Sequence, residues 1–106
     1  MSPKVYIINK AAHDFSPASR YGEIIYLSKG GVNKYAVNNI FRMFRETLEK
    51  SSADDYILIT SLTVMSCIAC CIMVMLHSRL NLLLFMDGDY VERKMDFTDL
   101  RKEKEK

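Results

Sequence analysis

A surplus of charge of either sign is nearly absent from this sequence: 15 lysines and arginines stand against 13 aspartates and glutamates, a formal net charge of +2. So small a balance leaves no electrostatic footprint for a polyanion, and a nucleic-acid partner is not expected. Cysteine is scarce and poorly placed for bridging. Its three copies, Cys67, Cys70 and Cys71, are an odd number crowded into one stretch. That excludes the spaced, even framework of a disulfide-stapled secreted domain and points to a reducing interior. The opening MSPKVYIINK has no basic region followed by an apolar stretch and a small-residue cleavage site, so export is not expected either. No segment repeats, and the only low-complexity stretch is the charged run at the end.

What is present is an ordinary globular composition. With 106 residues, 49% of them apolar and 26% charged, the chain has room for one domain, whose core needs no metal or disulfide to hold it. We expect that domain over residues 1–97 and a charged, disordered tail over 98–106.

One feature argues for a membrane. Ile57 to Leu76 is a run of twenty residues without a charge, long enough to span a bilayer as a helix. Its pattern argues the other way. Tyr56 to Thr60 follows Asp54-Asp55 and is short and β-branched, the signature of a buried parallel strand. The remainder then reads as a buried helix, and no membrane partner is expected.

Periodicity supplies the other elements. Val5–Ile8 and Glu23–Leu27 read as strands, separated by a polar loop from Asn9 to Tyr21 that contains Pro17. Val37, Ile40, Phe41, Phe44 and Leu48 recur at helical spacing, with Asn33 as a candidate cap. A second helix is expected from Ser61 or Thr63 to about Arg79. Its small and apolar residues leave almost no polar face, so it should be buried on nearly every side. One short domain can hardly cover it, which implies a homo-oligomer. Leu80–Met86 and Tyr90–Phe97 should form a hairpin across Asp87-Gly88. The fold class is therefore α/β: a small, mostly parallel sheet of about five strands, two helices and a C-terminal β-hairpin.

In such sheets ligands gather outside the carboxyl ends of the parallel strands. Three segments should meet there: Asn9 to Tyr21, Ser28 to Lys34, and Thr60 to Thr63. The second, with Lys29, Gly30, Gly31, Asn33 and Lys34 at a helix start, has the amides and cations to hold a phosphate. It also has the composition of a plain strand-to-helix turn. It lacks the spacing of a Walker loop or of a dinucleotide fingerprint. The first segment offers His13, Asp14, Ser16, Arg20 and Tyr21 as partners for a polar ligand, against the simpler reading of Asp14 and Ser16 as local turn makers before Pro17. Acid–base chemistry would require His13 paired with an acid and facing a nucleophile such as Ser61. Cys67-x-x-Cys70 lies too far inside its helix for thiolate activation, and adding Cys71 and His77 does not produce zinc spacing. We expect core packing for the cysteines, and neither a metal nor a cofactor.

Three stretches, VYIINKAAHDFS at 5–16, NKYAVNNIFR at 33–42 and RLNLLLF at 79–85, resemble small proteins of tailed bacteriophages. The resemblance implies expression in a bacterial cytoplasm and a role in evading host defence, in modulating a host enzyme or in the virion. It assigns no functional residues. The functional expectation is a non-catalytic binding protein for an anionic small molecule such as a nucleotide, including a host-defence signal. The alternatives are a structural accessory that binds a phage or host protein and, less favoured, a small nucleotide-processing enzyme.

Overall fold

The computed structural model describes residues 3–10 and 13–100. The strands are β1 (Lys4–Ile7), β2 (Glu23–Tyr26), β3 (Tyr56–Leu58), β4 (Arg79–Met86) and β5 (Asp89–Asp96), and the helices are α1 (Val37–Leu48) and α2 (Thr63–His77). One sheet runs in the order β2-β1-β3-β4-β5. The first four strands are parallel and β5 returns antiparallel to β4. The α/β class, the mostly parallel sheet and the terminal hairpin are those expected from the sequence.

Side-chain alternation sorts the core into two faces. Tyr6, Ile8 and Ile57 point to one side and pack beneath Ile40, Phe44 and Leu48 of α1 and Met65, Ala69, Ile72 and Met73 of α2. Val5, Ile7, Tyr56 and Leu58 point to the other, against Phe15 and Ala18. Ala18 belongs to a 3-10 helix, Ser16–Tyr21, inside the segment expected to be an irregular loop. Pro17 at its start fixes φ for that turn, which explains how a polar stretch becomes ordered. Right-handed crossovers then dictate the layering. The chain steps from β1 to β2 in one direction across the sheet, then from β2 over β1 to β3 in the other, so its connections must lie on opposite faces.

At the amino ends of the strands the polar groups are fully engaged. The Lys4 and Ser52 amides donate to the buried Asp55 carboxylate at 2.9 and 2.8 Å, and Asn81 Nδ2 donates to the carbonyls of Ala53 and Asp55. Gly22 passes so close to β1 that a Cβ there would lie 2.1 Å from the Pro3 carbonyl oxygen. This end of the sheet is closed.

Several sequence expectations are corrected. Asn33 does not cap α1: its Oδ1 accepts from the Tyr35 amide, a local turn, and the helix starts at Val37 with no side-chain cap. Neither Ser61 nor Thr63 caps α2. Thr63 donates its hydroxyl to the Ser61 carbonyl instead. α2 ends at His77 because Ser78 turns left-handed. It is also not buried all round, since Val64, Met75 and Leu76 are exposed. Cys67 and Cys71 are exposed as well, and only Cys70 is partly covered. Core packing therefore accounts for one cysteine of the three. Burial pushes the Cys70 thiol up to about 11. Residues 98–100 begin a helical turn held by Asp96, which accepts from the Thr98 amide, while the rest of the expected tail, 101–106, lies outside the described residues. Among the described residues, no helix is long and apolar enough to cross a membrane.

Candidate functional site

The order β2-β1-β3 places a reversal of chain direction between β1 and β3. At such a switch point the two connecting segments diverge to opposite faces and leave a crevice at the carboxyl ends of the strands. Here the crevice is a cleft of about 650 Å³, lined by Asn9, His13, Phe15, Leu58 to Leu62, Leu84, Phe85 and Tyr90. Unequal strand lengths open it. β3 ends at Leu58, paired with Leu83, whereas β4 continues to Met86 and turns through Asp87-Gly88 into β5. Three residues of β4 overhang β3, about 10 Å of extended chain, and form one wall.

The walls are largely aromatic. The Phe85 and Tyr90 rings meet edge to face at 5.4 Å, and His13 lies against Phe15 at 5.2 Å. Tyr90 and Phe15 are buried, whereas Phe85 is 59% exposed and stands at the mouth. Burial, followed by the nearby Asp14 carboxylate, raises the Tyr90 phenol above its ordinary range.

The polar groups lie along the strand ends. Ser61 and Leu62 are shared with a smaller adjoining hollow of about 180 Å³, whose other walls are Lys34, Tyr35 and the first residues of α2, Thr63 to Met65. The α2 start carries no side-chain cap, so the partial positive charge of its leading amides faces outward. The site is thus electrically lopsided. Asp14 lies on the His13 side, while Lys34 and the α2 amides lie on the other.

The expected segments do meet at this edge, but they divide the work differently. Asn9 Nδ2 donates to the Gly30 carbonyl at 3.0 Å, Ser28 Oγ donates to the Ile8 carbonyl, and Lys10 pairs with Lys29 in an isolated bridge. Lys29 and Gly30 accordingly buttress the segment that continues β1, and neither they nor Gly31 line the cleft. Asn33 is taken up by its own turn. Asp14 accepts from the Ser16 amide, which, ahead of the neighbouring His13, holds its carboxyl below the usual range. Arg20 is bound elsewhere: it pairs with Asp89 at 2.7 Å and donates to the Tyr21 hydroxyl and the Tyr90 carbonyl, to which Tyr21 also donates. Arg20 and Tyr21 pin the 3-10 helix to β5, and so hold Tyr90 in the cleft wall indirectly. Of the residues singled out in the sequence, His13 and Ser61 line the cleft and Lys34 lines its annex.

Sequence reasoning missed Phe15, Phe85 and Tyr90, because it read them only as members of the first loop and of the two hairpin strands. The available signal was relative strand length, since an apolar strand that outruns its neighbour must expose its last residues. Among the described residues, no three His, Cys, Asp or Glu side chains gather as metal ligands.

A family model described as "Phage Pam3 gp32-like protein" matches residues 3–97 of the chain. No curated protein matches, and no solved structure matches.

Proposed function

The chain belongs to the phage Pam3 gp32-like protein family, and from that premise we propose a non-catalytic phage binding protein of the host cytoplasm that captures a nucleotide-class small molecule at the switch-point cleft. The observation that carries this reading is the composition of the cleft: aromatic walls around about 650 Å³, leading past Ser61 to an uncapped helix start with Lys34 beside it. Ligand pockets of this size combine apolar walls with a few fixed polar groups, and helix starts attract phosphate. In this reading a planar base stacks on Phe85 and faces the His13–Phe15 wall. The anionic group points away from Asp14, toward Ser61, Thr63 and Lys34. The anion position thus moves from the α1 start, expected from the sequence, to the α2 start. Nucleotide signals of host defence fall within this ligand class.

The test is thermal unfolding of the purified protein against a panel of nucleoside monophosphates, triphosphates and cyclic dinucleotides, with each nucleotide recovered afterwards to check that it is intact. A ligand at a hundred times its Kd adds about 2.7 kcal/mol of stability. Phe85→Ala, at an exposed position, should weaken binding about five- to 150-fold, given that base–aromatic stacking contributes about 1–3 kcal/mol. A panel without any stabilising member would overturn the proposal. So would a nucleotide that binds Phe85→Ala as tightly as the native chain.

A further inference from the structure

Tyr21 and Tyr56 pack on the same face of the sheet, and both use their hydroxyls within the protein: Tyr21 donates to the Tyr90 carbonyl and Tyr56 to Glu92. Tyr90 belongs to the same cluster and does not. Its hydrogen bonds are made by its backbone, the amide donating to Asp89 Oδ1 at 2.8 Å and the carbonyl accepting from Arg20 and Tyr21. The hydroxyl has no partner among the described residues, although Tyr90 is only 2% exposed.

A buried phenol ordinarily finds a partner, because an O–H left unpaired in apolar surroundings costs free energy. Among the described residues, no buried side-chain oxygen or nitrogen is sealed off without one. The Tyr90 hydroxyl therefore keeps an opening, and the cleft is the opening that Tyr90 lines. A polar tip on a side chain otherwise packed among Phe15, Leu58 and Leu83 is the kind of fixed group that orients a ligand in an apolar pocket.

We infer that the Tyr90 hydroxyl reads the edge of the bound ring, donating a hydrogen bond to a ring nitrogen or carbonyl oxygen of a nucleobase. This rests on the nucleotide reading of the cleft and adds to it the group that distinguishes a base from a plain apolar ring. The inclination of the walls is the first support. The Phe85 and Tyr90 rings stand at 65° to one another, so a base stacked on Phe85 lies steeply to Tyr90 and meets it at its rim. Tyr90 then contributes through its hydroxyl and not by stacking. Charge is the second support. The Asp14 carboxylate acts on this phenol and, with burial, holds the proton on it, so the hydroxyl remains a donor. The same carboxylate repels phosphate, which leaves the anion to Lys34 and the α2 start and the Tyr90 end to the uncharged edge of the base.

Isothermal calorimetry tests this with the four common ribonucleoside monophosphates and with ribose 5-phosphate carrying a phenyl ring in place of the base. The proteins are the native chain, Tyr90→Phe and Phe85→Ala. The best-bound nucleotide should bind Tyr90→Phe about 5- to 150-fold more weakly than the native chain, the cost of leaving an acceptor unpaired. The phenyl ligand should bind the two alike. Without ligand, Tyr90→Phe should unfold at the native midpoint, because its hydroxyl has no partner to lose. A nucleotide that binds Tyr90→Phe as tightly as the native chain, yet is weakened by Phe85→Ala, would overturn the inference and leave the cleft reading standing. Earlier unfolding of ligand-free Tyr90→Phe would also overturn it, by showing that the hydroxyl serves the fold. If no monophosphate binds, or Phe85→Ala binds as the native chain does, the cleft reading fails and the inference falls with it.

Discussion

At the scale of single residues, tyrosines do much of the polar bridging between layers. Tyr56 projects from β3 to the face that carries the 3-10 helix. There its hydroxyl donates to Glu92 on β5 at 2.5 Å and its ring meets Tyr21 edge to face. Burial, and then the Glu92 carboxylate, push its phenol up to about 12; burial and Asp55 do the same for Tyr6 on the opposite face. A phenol whose folded pKa lies above its unfolded value of about 10 keeps its proton in the native state while the unfolded chain loses it. The stabilisation is complete below pH 10 and is lost as pH rises toward 12. Ultraviolet titration of phenolate should therefore show a late component, part of which disappears in Tyr56→Phe, and unfolding midpoints should fall over the same interval. A late component unchanged in Tyr56→Phe would show that the Glu92 contact does not hold the proton.

The residue scale also marks the limit of what was legible in the sequence. Asn33, Asp14 and Ser16 were visible as capping or turn chemistry, and the turn reading prevailed wherever a backbone amide lay two residues away, because a local bond costs little chain entropy to close. Arg20 was visible as a free cation. Its partner, Asp89, is 69 residues further on, and no local pattern discloses such a pair.

At the scale of elements, the hairpin was the clearest signal and is the part that shapes the site. Asp87 and Gly88 both take positive φ, 52° and 84°, the conformation that two-residue turns of this twist need and that Asp-Gly supports. This turn ends the overhang of β4 and begins β5, so it sets Phe85 and Tyr90 in register with one another. Gly88→Val forces a β-branched residue into left-handed backbone, at about 1–2 kcal/mol, and chemical denaturation should find a loss of that size. Nucleotide affinity should fall with it, because the wall it supports is displaced. Full retention of stability would mean that the turn can change type without cost. Helix existence was equally legible, since α1 has one apolar stripe and α2 an uncharged run. Which side of α2 faces outward was not, because a helix apolar on nearly every side has no contrast by which to orient it.

At the scale of the whole molecule, the two ends of the sheet differ in kind. The amino ends are sealed by Asp55, Asn81 and the close passage of Gly22. The carboxyl ends remain open because β3 is short, β4 is long and the chain reverses direction between β1 and β3. Strand-end geometry led to this edge, where a cleft lies, because fold class alone fixes which edge is open. The make-up of the cleft was not legible, since its aromatic walls come from three separate segments that a one-dimensional pattern does not bring together. The central claim is that this edge, and not the helical face, receives a nucleotide-class ligand. Methyl NMR of the protein titrated with the nucleotide that stabilises it most tests this directly. The expected result is saturable shifts at Leu58, Ile59, Leu62 and Leu84, with Ile72 and Leu76 of α2, which line neither the cleft nor its annex, unmoved. Shifts confined to Ile72 and Leu76, with the cleft methyls silent, would contradict the account.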